Sequence, residues 1–170
     1  MAEREEILAF LDKAGIPYKK YQHTQRNTVE EKAALDRELG ITARHCKNIF
    51  LTNRQKTRFF LLVMPFEKTF RTAEVSKELE SSRLSFAPEE MLWEKLRCHS
   101  GCLSPLSLIY DGDCEVVLVI DKELLSESAL CFHPADDTVT LTFDTEICLK
   151  ELFPKLKKTP VFVTVTSHAE

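Results

Sequence analysis

Residues 46–65 read CKNIFLTNRQKTRFFLLVMP, and their pattern decides what kind of fold this chain can adopt. Two apolar runs flank a polar connection, Asn53 to Lys56, and Pro65 closes the second run. Such a pattern predicts a β-hairpin. The second run, FFLLVM, is apolar at odd and even positions alike. Side chains alternate across a strand, so this one needs cover on both faces and belongs in the middle of its sheet.

Helices and further strands surround the hairpin. REEILAFLDKAG puts Ile7, Leu8, Leu11 and Ala14 on one helical face, with Gly15 and Pro17 as the stop, and YKKYQH follows as a short strand. TVEEKAALDRELG opens on a capping box, Thr28 with Glu31, and ends at Gly40. Beyond the hairpin, one helix runs from Thr72 through Val75 and Leu79, and a second begins at Pro88 and uses Met91, Leu92 and Leu96. LIYDGDCEVVLVID reads as two strands joined by an Asp-Gly turn, with a short helical piece near Leu124. ALCF and TVTLTF bracket HPADD as strand, turn and strand, TEICLKELF is a last helix, and VFVTV is a tail strand or docking segment. There is no repeat and no linker. The expected fold is α+β, a single domain over residues 1–170 with a mixed, largely antiparallel sheet surrounded by helices.

With 44% hydrophobic and 29% charged residues in 170, the chain is globular and long enough to bury a core. No apolar run approaches the ~20 residues of a membrane span. The start, MAEREEILAF, carries charges where an export signal would be apolar, so the expected compartment is the cytoplasm. Six cysteines without a CxxC pair, most of them inside apolar stretches, read as buried free thiols. Cys98, His99 and Cys102 lack a second ligand pair, and no motif calls for a nucleotide, flavin or metal, so no cofactor is expected. A net charge of −4 argues against a broad basic nucleic-acid surface and against DNA, but not against a grip on one end of an RNA.

Three places have the residue types for chemistry. Lys47 and Asn48 head an otherwise apolar strand, where a lysine ordinarily snorkels to the sheet edge. His133 and Pro134 sit at a strand end, an ordinary place for a turn histidine. Between them in sequence, HSGCLSPLSL (residues 99–108) spends one of only four glycines just ahead of a proline, which a plain connection would also explain.

In order and spacing, KNIFL, RLSFAPEEML, GCLSP, VVLVID and FHPADDTVTL resemble the YbaK/prolyl-tRNA editing family, as do YKKYQHT and TVEEKAAL near the start. The resemblance runs from about Ile7 to Phe153. Members of that family are freestanding relatives of the editing insertion of bacterial prolyl-tRNA synthetases, and they hydrolyse the ester between a wrong amino acid and its tRNA. The resemblance implies that Lys47 contacts the 3′ end of the tRNA. It also implies that Gly101, Cys102, Leu103, Ser104 and Pro105 form the GxxxP loop beneath the scissile ester, and that His133 shapes the aminoacyl pocket. Asn48 beside Lys47 resembles the alanyl-tRNA(Pro) deacylases. The implied partners are tRNA, through its 3′ end and acceptor stem, and prolyl-tRNA synthetase.

Elementary chemistry is consistent with that role. An aminoacyl ester is already activated, so a strong nucleophile is unnecessary, and none of the usual triads is evident. The need is for stabilisation of the oxygen that becomes negative, which backbone N–H groups beside a glycine supply, since glycine leaves amides uncovered and adopts backbone angles other residues avoid. Selection against proline has to come from pocket size. The chain also departs from the family pattern: Ser100 precedes Gly101, and after His133 and Pro134 stand Ala135 and Asp137 in place of a leucine and an asparagine. Ala135 is expected to enlarge the pocket and Asp137 to add a negative charge that either attracts the substrate ammonium or repels the phosphate. These changes leave open a cysteinyl, seryl or threonyl ester as substrate, or a catalytically silent module that only binds tRNA or a synthetase.

Overall fold

The hairpin forms in the computed structural model, which describes residues 2–166. β2 (Arg44–Thr52) and β3 (Phe59–Pro65) run antiparallel, with Cys46 opposite Pro65 and Thr52 opposite Phe59. Every residue of β3 is buried. The alternation shows why: Phe59, Leu61 and Val63 join one core with Ile7, Leu92, Leu96 and Phe153. Phe60, Leu62 and Met64 join a second core with Val75, Leu84 and Val163. Both faces of the strand are therefore covered.

The remaining elements are α1 (Ala2–Ala14), β1 (Lys19–Gln22), α2 (Val29–Leu39), α3 (Thr72–Glu78), β4 (Ser85–Phe86), α4 (Glu89–Leu96), β5 (Val116–Asp121), β6 (Ala129–Phe132), β7 (Val139–Asp144) and β8 (Val161–Val163). α5 (Thr145–Ile147), a π-helical stretch Cys148–Leu152 and α6 (Phe153–Lys155) run on as one C-terminal helix. The sheet order is β1-β7-β6-β2-β3-β5-β8, with β4 added to β2. Four of its pairings are antiparallel and three parallel, a mixed α+β sheet. The capping box at Thr28 is complete, and Gly40 closes α2 with φ 70°. All six cysteines are free, and no helix among the described residues is long and apolar enough to cross a membrane.

Two local expectations need correction. The stretch before Asp111–Gly112 is not a strand but a 3-10 helix, Pro105–Tyr110. Its N-cap Ser104 accepts from the Leu106 N–H, and Asp111 then accepts from the Glu115 and Val116 N–H groups, so the turn leads from a helix into β5. Pro88 is the N-cap of α4, one residue ahead of the first helical position.

One irregularity of the sheet positions the site. On the side away from β3, β2 is paired with β6 only at Arg44 and His45, and with β4 only at Leu51 and Thr52. Between those points no strand pairs with that edge among the described residues. The gap exposes the flank of Lys47 and Asn48.

Candidate active site

The 3-10 turn Ser100–Cys102 lies over this gap. It is fixed there by Ser104, whose buried hydroxyl donates to the His133 carbonyl (2.7 Å) while accepting from the Leu106 N–H (3.1 Å). One hydroxyl thus ties the loop to the end of β6. The result is a cleft of ≈ 180 Å³ that brings together Lys47, Asn48, Gly101, Leu103, His133 and Asp137. These residues come from three separated parts of the chain. Cys102, Ser104, Pro105, Pro134 and Ala135 are not part of its lining.

Ala135 is buried in the main core with φ 59° and does not line the cleft. Asp137 does face the cleft and accepts from the Gln25 side-chain amide (2.6 Å). Burial pushes the Cys102 thiol up, so it stays protonated near neutrality and is a poor nucleophile. Among the described residues, no three His, Cys, Asp or Glu side chains are grouped to hold a metal ion.

Gly101 is not in the left-handed region, where the glycines are Gly15 and Gly40, so backbone angle is not why glycine stands there. A Cβ built on it meets nothing within 4 Å. What glycine leaves is room over the turn. The Cys102 N–H is engaged by the His99 carbonyl (3.1 Å), whereas the Gly101 amide makes no hydrogen bond among the described residues. Gly101→Val is accordingly expected to keep the melting temperature of the parent while lowering turnover about 10-fold or more by crowding the ester. Equal turnover would remove the loop from the site.

Three polar groups define the cleft's electrostatics. The His133 Nδ1 bonds the Val139 carbonyl (2.7 Å), which makes it the protonated nitrogen and leaves Nε2 as an acceptor. Burial lowers this imidazole to about 4, so it is neutral at physiological pH. The Asn48 Oδ1 is buried with no hydrogen-bond partner. The Lys47 ammonium donates to the Lys68 carbonyl (2.6 Å) rather than reaching straight into the cleft, and burial lowers its pKa.

Reading for motifs missed Arg26, Asn27, Lys32, Cys46 and Phe66, which with Ser100 complete the lining. Lys32 had a signal. It lies three residues before Leu35 on α2, and both are buried, so a lysine occupies the helix's inward face.

A family model described as an aminoacyl-tRNA editing domain matches residues 23–165. The prolyl-tRNA editing protein ProX of Acetoanaerobium sticklandii is 29% identical over 146 residues, covering 86% of this chain and 88% of that one. Prolyl-tRNA synthetase associated domain-containing protein 1 of Xenopus laevis is 32% identical over 161 residues, 92% and 91% of the two chains. The solved structure of a candidate trans-editing enzyme for prolyl tRNA synthetase superposes with a TM-score of 0.72 at 12% identity, over 98% of this chain and 99% of that one. These likenesses define a hydrolase that acts on aminoacyl-tRNA ester bonds. The chain belongs to the aminoacyl-tRNA editing domain family.

Proposed function

We propose that the chain, as one domain, is a trans-editing deacylase that clears tRNA(Pro) of a misplaced amino acid, alanine first, with cysteinyl, seryl and threonyl esters as the alternatives. The observation that carries this reading is the cleft itself. Lys47, Gly101 and His133, remote in sequence, line one opening in which a backbone amide stands free.

In this reading the acyl group enters beside His133, with its carbonyl over Gly101. Water attacks the acyl carbon, charge gathers on the carbonyl oxygen, and the tetrahedral species collapses with loss of the ribose oxygen, which leaves protonated. An adjoining apolar cleft of ≈ 340 Å³ shares Asn48, Ser100 and Leu103 and is edged by the exposed Phe86, which suits the terminal adenosine. Lys47 meets the RNA 3′ end, the acceptor stem lies outside the cleft, and prolyl-tRNA synthetase in the cytoplasm is the partner that supplies the mischarged tRNA.

The test is to present tRNA(Pro) charged with alanine, cysteine, serine, threonine or proline and follow loss of the ester. Release of alanine but not proline supports the reading. Tight tRNA binding without release of any amino acid would instead establish a silent binding module. His133→Ala is expected to raise release of proline relative to alanine by about 10-fold, a typical gain when a steric limit is removed. Unchanged selectivity would make His133 a turn residue only.

A further inference from the structure

Three cations line the cleft, and two are already committed. The Arg26 guanidinium pairs with Glu38 (3.1 Å), and the Lys47 ammonium donates to the Lys68 carbonyl (2.6 Å). Lys32 is different. It is only 9% exposed, and its ammonium makes no hydrogen bond or ion pair among the described residues. Its recorded contact is the Phe66 ring, 4.7 Å from the ammonium to the centroid.

Lys32 also borders a recess of ≈ 10 Å³ behind the cleft, together with Asn48 and His133. Those two residues carry further uncommitted polar atoms: the buried Asn48 Oδ1 and the His133 Nε2, left free by the Nδ1 bond to Val139. Burial lowers the Lys32 pKa, and the carboxylates of Asp36 and Asp137 oppose that shift. A cation whose side chain is largely desolvated and whose ammonium has no protein acceptor is a cost to folding, and such costs collect at functional sites.

We propose that Lys32 is a catalytic residue, whose ammonium donates a hydrogen bond to the ester carbonyl oxygen as that oxygen becomes negative. The inference rests on the deacylase reading and names a residue of its chemistry. As water's oxygen bonds to the acyl carbon, the carbonyl π pair moves onto oxygen, where Lys32 and the Gly101 amide stabilise it. The pair then returns, the carbon–ribose oxygen bond breaks, and the ribose oxygen takes up the proton released by the water. Lys32 stays protonated throughout. Asp137, in the same lining, is the counter-charge for the substrate's α-ammonium.

The experiment compares wild type, Lys32→Met and Lys32→Arg for kcat and KM on alanyl-tRNA(Pro), or on whichever ester of the panel the wild type clears, with melting temperatures alongside. Lys32→Met is expected to lower kcat about 100-fold at nearly unchanged KM, the usual loss on removing an oxyanion donor. Its melting temperature should match the parent's, because no protein hydrogen bond or ion pair among the described residues is lost with the ammonium and methionine keeps a chain of similar length. Lys32→Arg, which keeps the charge, should retain more kcat than Lys32→Met. Unchanged kcat overturns the inference alone, and so does a rise confined to KM, which would make Lys32 an anchor for RNA phosphate. Lost activity with a lowered melting temperature in both variants also overturns it, as a purely structural role. No release by the wild type from any ester overturns the deacylase reading and this inference together.

Discussion

Lys47→Ala is expected to reduce kcat/KM for ester release by about 10- to 100-fold, the worth of one charge-assisted hydrogen bond to a phosphate or to a polarised oxygen. The size of the effect follows from how firmly the ammonium is placed. Its acceptor, the Lys68 carbonyl, belongs to a residue whose own ammonium bonds Asp121 (2.8 Å), Glu123 (3.0 Å) and the Val165 carbonyl (2.7 Å). The Lys47 ammonium is therefore held with little rotamer freedom left to lose. Lys47 is only half-buried, so its truncation leaves the two cores intact. Single-turnover decay of charged tRNA(Pro), with the melting temperature as control, measures the effect. An unaltered rate would remove Lys47 from the RNA contact.

Asp111→Ala is expected to cost about 3–5 kcal/mol of stability, the range for breaking a buried ion pair from one side. Asp111 and Lys158 side chains are each 5% exposed and hydrogen-bonded to one another. The same carboxylate accepts from the Glu115 and Val116 amides, both at 2.9 Å. Lys158 donates in addition to the Val116 carbonyl (2.6 Å). Alanine leaves a buried ammonium and two amides short of an acceptor at the start of β5. Burial alone would raise the Asp111 pKa, but Lys158 and the two amides outweigh it and hold the carboxyl below its usual range. A carboxylate held low in the folded state stabilises above its unfolded pKa, about 4, and that contribution is lost as pH falls through the lower folded value. Urea midpoints of the parent should fall in acid across that window, and those of Asp111→Ala should fall less. Equal midpoints at neutral pH would show that the pair contributes nothing net.

The central hairpin, the capping box at Thr28 and the β6–β7 pair were legible because each is a local pattern with a local cause. Asp111–Gly112 shows where that logic stops. The dipeptide announces a turn, but whether a strand or a helix precedes it depends on Ser104 capping Pro105–Tyr110, a tertiary as well as a local event. The two-residue β4 owes its existence to β2 and has no pattern of its own. At the site, motif order singled out the segments that meet in the cleft, but not which of their side chains line it. Within the contiguous run 101–105 the chain turns through 3-10 geometry, so Gly101 and Leu103 face the cleft while Ser104 turns back to His133. Lys32 belongs to no motif: the capping box and Gly40 mark the ends of its helix and say nothing of its inward face, where this charged residue lies.

The interruption in pairing along β2 also bears on how the enzyme could change its diet. The aperture is framed by main-chain hydrogen bonds at Arg44–His45 and at Leu51–Thr52. Widening it means releasing those bonds at about 1 kcal/mol each. In the proposed reading, exclusion of a bulky guest rests on this backbone calliper together with His133. Exchanges among lining residues other than His133 are expected to retune rate and affinity for small acyl groups before they admit large ones, and a relative with broader tastes should differ in strand register around this opening.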